Sequence, residues 1–178
     1  MKTFKEYEET FGGANLISIA LIQKEGDIYN KEFLAALKKV TDDVFFLPGV
    51  DRSRVKSLFT PGVRYIEIVE DGLSGGDVIP RNYKPTQEML DQIRINVGKA
   101  GVIGRLVSTD QRGAMVVAEL LEFHPTTGEK LDYNDVAKKL EKIRQDNETA
   151  NIDIHIIGFA KIIGDVTDAA GEVISFFA

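Results

Sequence analysis

Ile152-Asp-Ile-His-Ile-Ile-Gly158 opens the stretch that decides the fold, because two hydrophobic periods meet at its last residue. The isoleucines alternate with Asp153 and His155, which is the two-residue period of a β-strand with one buried face. Beyond Gly158 the apolar residues recur at helical spacing and predict a single apolar stripe on a C-terminal helix. The stripe consists of Phe159, Ile162, Ile163, Val166, Ala170, Val173, Ile174 and Phe177.

The stripe continues into the last four residues, Ser175-Phe-Phe-Ala178. These residues lack the glycine cap, the basic last turn and the proline that commonly close a helix. We therefore expect the sequence to be part of a longer protein and the helix to lead toward an apolar environment. Separated from that environment, the stripe should fold back on the domain, exchange with a neighbouring copy or drive self-association.

The composition is that of a folded domain with ordinary chemistry. The 178 residues are 43% hydrophobic and 28% charged, enough for one domain with a core or one domain with a large insertion. A net charge of −6 argues against nucleic acid or an anionic membrane surface as a partner. Cysteine is absent, which excludes disulfides and thiol catalysis. Since the chain has no run of 18 apolar residues and no signal peptide, we expect any export signal to lie outside it.

Strand and helix patterns alternate along the rest of the chain. A strand predicted over 15–22 is so apolar that we expect it to be central in a sheet and covered on both faces. Asn30, Thr86 and Asp132 are expected to cap three helices. Further strands are predicted over 53–59, 63–69, 102–108, 114–121 and 151–157, with a turn-rich excursion over 70–85.

Setting aside 60–112 as a long insertion leaves the order βαββαβ. This is the order of a ferredoxin-like α+β sandwich, with both helices on one face of a mostly antiparallel sheet. The predicted domain covers 1–157, and 158–178 is the C-terminal connector helix. The connector residues singled out are Gly158, Phe159, Ile162, Ile163, Gly164, Val166, Val173, Ile174 and Phe177. His155 is a candidate interface or pH-sensitive residue, because an imidazole titrates near neutral pH.

The strongest catalytic motif is Gly72-Leu-Ser74-Gly-Gly76, which matches the G-x-S-x-G of serine hydrolases. That chemistry needs a strand, a sharp turn and a helix, whereas Pro80 favours a loop. The only partner for Ser74 on a predicted strand would be His155, so a weak hydrolase stays an alternative and a glycine-rich loop is favoured.

Metal and carboxylate motifs are equally sparse. His124 and His155 lack partners at metal-ligand spacing. Asp71 and Asp77 lack the other ligands of a calcium loop. The nearby pair Glu119 and Glu122 would point to opposite faces of a strand. The sequence therefore predicts no enzyme, with no catalytic, cofactor or metal residue.

Loop phrases and the C-terminal strand–helix, taken in order, are similar to a transporter family. They resemble the first large extracytoplasmic loop of exporters in the resistance–nodulation–division (RND) superfamily, especially its MMPL-like, predicted lipid-exporter branch. Among the phrases are Phe11-Gly-Gly-Ala-Asn15, Phe46-Leu-Pro-Gly-Val-Asp51, Arg64-Tyr-Ile-Glu67, Gly76-Asp-Val-Ile-Pro80 and His155-Ile-Ile-Gly-Phe-Ala-Lys-Ile-Ile-Gly-Asp165.

The resemblance implies a porter-type domain between transmembrane helices 1 and 2, on the periplasmic side of the bacterial inner membrane. Its partners would be the transmembrane part and the second periplasmic loop of the same transporter. The substrate would be hydrophobic or lipid-like, and proton flow would pass through membrane residues outside this sequence. The alternative is a free-standing soluble ferredoxin-like domain that binds a small molecule, or the weak hydrolase centred on Ser74.

Overall fold

Antiparallel strand pairing forms the centre of the molecule. The structure is a computed structural model that describes residues 15–70, 72–124, 126–158, 160–162 and 164–166. The strands are β1 (Leu16–Gln23), β2 (Arg64–Val69), β3 (Gly72–Asp77), β4 (Gly113–Glu119) and β5 (Ile152–Gly158). The helices are α1 (Lys31–Phe45), α2 (Gln87–Ala100) and α3 (Tyr133–Asn147), with a 3₁₀ turn at Arg52–Arg54. Within the described ranges, no segment forms a helix suited to spanning a bilayer.

The main sheet has the order β4-β1-β5, and both pairings are antiparallel. Ile19 at its centre stands opposite Val116 on one side and Ile156 on the other. This confirms the central position predicted for the first strand. The expectation that it is covered on both faces is wrong among the described residues, since Leu16 and Ile22 on its outer face are 54% and 38% exposed.

Helices α1 and α3 pack on each other and on the sheet, α1 toward β4 and α3 toward β5. They cover the face that presents Ile17, Ile19 and Leu21, all of which are buried. The predicted caps form as expected: the Asn30 side chain accepts a hydrogen bond from the Phe33 amide at 2.8 Å, and Asp132 and Thr86 cap their helices in the same way. The chain is thus an α+β structure with helices on one side of its main sheet.

The segment 50–56 runs along the outer edge of β4. Val50 bridges Leu120 and Lys56 bridges Val117, both antiparallel. The strand predicted over 53–59 is wrong, because the Asp51 carboxylate accepts hydrogen bonds from Ser53 and turns the backbone into the 3₁₀ turn. Only two bridges therefore join this segment to the sheet.

The segment 60–112 contains a separate two-stranded sheet, β2-β3, with α2 packed on β2. The prediction of a strand over 63–69 is confirmed. The expectation of an irregular excursion over 70–85 is wrong at β3, which pairs with β2 as a regular antiparallel strand. Its glycines lack the side-chain alternation by which a strand is recognised in a sequence. The strand predicted over 102–108 is also wrong, because Gly104 adopts a φ of +79° and the chain folds back on itself through the Val102 carbonyl.

This segment is tied to the rest of the domain at several points. Arg94 of α2 forms an ion pair with Asp27 at 2.7 Å and lies over the Tyr29 ring. Burial raises the pKa of the Tyr29 phenol to about 12. The Leu106 carbonyl accepts a hydrogen bond from the Met115 amide of β4 at 2.8 Å. These contacts fix the position of the insertion against the first loop and the sheet.

Candidate functional site

Gly158 ends β5 at a place where a side chain does not fit. Its backbone has a φ of +153°, and a Cβ there would lie 2.7 Å from the Leu16 carbonyl oxygen and 3.1 Å from Ile17 Cα. The neighbouring strand approaches so closely because Gly158 is still paired with Ile17. The predicted change from strand to helix at this residue therefore coincides with a position that requires glycine.

The first part of the connector is helical over 160–162 and 164–166, and it packs against α3 through small residues. Ala160 and Gly164 are buried, and a Cβ on Gly164 would overlap the Cβ of Ala137. The small residues therefore allow the two backbones to approach each other closely.

A charged network lies along the same contact. Lys161 Nζ is 3.6 Å from Glu141 and also pairs with Asp165, while Arg144 donates to both oxygens of the Glu141 carboxylate. The hydrogen bond from Arg144 is the main cause that lowers the pKa of Glu141 to about 2. The connector is thus held to α3 by close packing and by a network of ion pairs.

The large residues of the predicted stripe face away from α3 wherever the structure describes them. Ile162 is 58% exposed and Val166 is 64% exposed. The stripe is therefore a surface rather than the buried face of this part of the connector. The remaining predicted connector residues lie outside the described residues: Phe159, Ile163, Val173, Ile174 and Phe177.

His155 lies on the outer face of β5, opposite Ala20, and its side chain is exposed. This confirms its predicted place on the face opposite the isoleucines. Ala20 pairs with Met115 on its other side, so His155 and Met115 flank the same small residue. The imidazole is accessible to a partner at this face.

The candidate serine and the second histidine occupy ordinary structural positions. Ser74 lies inside β3, opposite Glu67, with strand on both sides instead of the sharp turn that a nucleophile elbow requires. His124 Nδ1 accepts hydrogen bonds from the Thr126 and Thr127 amides in a turn. Within the described ranges, histidines and carboxylates do not gather in threes at a possible metal site.

A cleft that the sequence did not reveal lies between the sheet edge and the insertion. It has a volume of ≈ 580 Å³ and is formed by the 3₁₀ turn and the chain after it, the start of the insertion at 60–64 and the loop after α2. Four basic residues line it: Arg52, Lys56, Arg64 and Arg105. Its apolar wall includes Phe45, Val55, Val63, Val102, Leu106 and Val117. This basic cleft is the candidate binding site.

The cations of the basic cleft are only partly neutralised. Arg64 Nε lies 3.6 Å from Asp77, and the Arg52 guanidinium lies 5.6 Å from the centre of the Phe45 ring. Within the described part of the chain, Lys56 and Arg105 have no carboxylate within 4 Å, and none of the described lining residues is acidic. In a chain of net charge −6 this is a local reversal of sign.

The sequence carried one weak signal for this cleft, the basic phrase Arg52-Ser-Arg-Val-Lys56. Its middle arginine, Arg54, instead pairs with Glu119 at 2.6 Å on the adjacent strand. Arg64 begins β2 and Arg105 lies in the loop after α2, so only the folded chain places them on the same cleft.

Comparison of the chain with protein-family models gives no match, and a search of curated proteins gives none either.

Proposed function

We propose that the chain is a ferredoxin-like, porter-type domain with no chemistry of its own. The observation that carries this proposal is the position of 50–56 beside β4. If 50–56 is counted as a strand, the main sheet has the spatial order β5, β1, β4 and 50–56. In chain order these are the fourth, first, third and second strands, and every neighbouring pair is antiparallel. With α1 after the first strand and α3 after the third, this order would match the split βαβ arrangement, which supports the proposal.

The proposed setting is the periplasmic side of a bacterial inner membrane, in a proton-driven exporter of hydrophobic or lipid-like compounds. Two features support it. The insertion is large and carries its own hairpin and helix, and the connector presents Ile162 and Val166 outward while small residues hold it to α3. Exposed aliphatic side chains on a docked helix favour a further apolar partner. The transmembrane part and the second periplasmic loop would provide it.

The native coding sequence gives the first test. Apolar segments of about 20 residues before and after the region encoding this chain are expected, because that length spans a bilayer. A start codon at Met1 together with a stop codon after Ala178 would rule out the exporter setting.

The second test uses the lack of cysteine in this chain. Lys142→Cys on the exposed side of α3 would be placed in the full-length protein and treated in intact cells with a membrane-impermeant maleimide. Labelling without lysis is expected for a periplasmic domain, with the unsubstituted protein as control. Labelling that requires lysis would place the domain in the cytoplasm and overturn the proposal.

A free-standing ligand-binding domain is the second candidate, and the basic cleft favours it because that cleft needs no membrane partner. A stop codon directly after Ala178 would select it. The position of Ser74 inside a continuous strand lends the hydrolase alternative no support, and loss of ester turnover in Ser74→Ala would be needed to revive it.

A further inference from the structure

We propose that the basic cleft binds an amphipathic anion, a hydrocarbon chain or ring system that carries a carboxylate, sulfate or phosphate head. This site would stand whether or not the chain belongs to an exporter, because residues of this chain alone form it. The head would contact the basic side chains and the hydrocarbon would lie on the apolar wall.

The charge distribution selects an anion. The chain has 22 basic and 28 acidic residues, yet the described lining of this cleft carries four cations and no acid. A concave site of one sign with apolar walls concentrates the opposite charge, since the field is screened less there than on an open surface. A cationic ligand of the same size would be repelled.

The backbone beneath the unpaired cations is fixed. The Lys56 amide donates to Val117 at 2.8 Å and its carbonyl accepts from Val117 at 2.9 Å. The Arg105 amide donates to the Val102 carbonyl at 3.1 Å. Arg52 is oriented by the two rings beneath it, Phe45 and Phe46. Because the backbone is already ordered, contact of these three donors with an anionic head would cost side-chain entropy but little backbone entropy.

The apolar wall selects a hydrocarbon rather than a free inorganic ion. Val63, Val102 and Leu106 come from the insertion, whereas Val55 and Val117 come from the edge of the main sheet. A volume of ≈ 580 Å³ is within the range of about 300–1,000 Å³ that small-molecule sites occupy. The ligand would therefore contact both parts of the domain.

Isothermal titration calorimetry with the protein as purified tests the choice of ligand. Dodecanoate and dodecyl phosphate, both below their micelle concentrations, are expected to bind, and dodecyltrimethylammonium is expected to bind at least about tenfold more weakly. Acetate and inorganic phosphate supply the head without the tail and are expected to bind far more weakly than the long-chain anions. Equal affinity for the anionic and cationic amphiphiles, or equal affinity for phosphate and dodecyl phosphate, would overturn the proposal.

A pair of double variants with the same change in net charge locates the site. Lys56→Gln with Arg105→Gln should weaken dodecanoate binding by about tenfold or more, while Lys138→Gln with Lys142→Gln on α3 should leave it unchanged. The circular dichroism melt of each variant checks folding, and the weakening should be smaller at high salt. Affinity that is unchanged in the cleft variant, or reduced equally in both variants, would show that these cations do not form the site.

Discussion

Gly158→Ala and Gly98→Ala add the same methyl group and should change stability in opposite directions. At Gly158 the new Cβ would lie 2.7 Å from the Leu16 carbonyl oxygen and 3.0 Å from Ile17 Cγ2. Side-chain Cβ atoms essentially never approach closer than 3.0 Å, so the strands must separate by at least 3.0 − 2.7 = 0.3 Å. At Gly98, on the exposed side of α2, a Cβ meets nothing within 4 Å.

The magnitudes follow from these surroundings. Backbone strain at a positive φ and overpacking each cost about 1–3 kcal/mol, so Gly158→Ala should destabilise the fold by about 2–6 kcal/mol. Gly98→Ala should stabilise it by up to about 1 kcal/mol, because alanine is the better helix former. The first value is a large part of the roughly 5–15 kcal/mol that folds a domain.

Urea unfolding followed by far-UV circular dichroism measures both free energies in the same buffer. A lower midpoint for Gly158→Ala and a raised midpoint for Gly98→Ala, with similar slopes, are expected. If both substitutions raise the midpoint, the close approach of β1 to Gly158 is not present in solution and the reasoning fails.

Three further predictions concern the surface and the titrating groups. The double variant Ile162→Glu with Val166→Glu should lower the association constant of the protein by more than tenfold, as measured by sedimentation velocity. An unsubstituted protein that stays monomeric at high concentration would contradict the predicted self-association. Glu141→Gln should lower the free energy of unfolding by about 1 kcal/mol at pH 7. This difference should shrink as the pH falls from about 4.5 toward 2, because the lowered pKa of Glu141 stabilises the fold only while the carboxylate is ionised. Equal urea midpoints of the two proteins at pH 7 would refute this prediction. Because burial raises the pKa of Tyr29 to about 12, its neutral phenol should stabilise the fold below pH 10, and this effect should be lost as the pH rises toward 12. Absorbance titration at 295 nm should show a tyrosine that ionises only as the pH approaches 12, and Tyr29→Phe should remove that step.

Periodicity predicted the elements that bury one regular face. β1, β5 and α3 were recognisable because large apolar residues recur at strand or helix spacing, and Asn30 and Asp132 had the side chains that caps require. Periodicity failed at 53–59, because the Asp51 carboxylate accepts a hydrogen bond from the Ser53 amide and so favours a turn over an extended strand. The pairing that creates β3 was not visible, because glycines have no side-chain pattern.

Periodicity did not reveal which side of the connector meets α3. Hydrophobic periodicity gives weight to large side chains, so it predicted an apolar stripe through Ile162 and Val166 and did not indicate the small-residue face. In the described part, close backbone approach through Ala160 and Gly164 determines which side faces α3, and isoleucine is left outside. Only the basic phrase at 52–56 indicated the basic cleft in the sequence, because its cations come from three separate segments.

The chain segments just before and just after the insertion 60–112 lie side by side at the edge of the main sheet. Lys56 on the edge segment bridges Val117 on β4, so the chain departs and returns on adjacent antiparallel paths, like a hairpin whose loop has grown to the size of a small domain. Closing a long loop costs only slightly more than closing a short one, by about 0.6 kcal/mol for each doubling of length. Evolution could therefore lengthen, shorten or exchange this loop with little effect on the sheet beneath it. Any ligand preference housed in the basic cleft would then change together with the loop, while the fold that supports it stays constant.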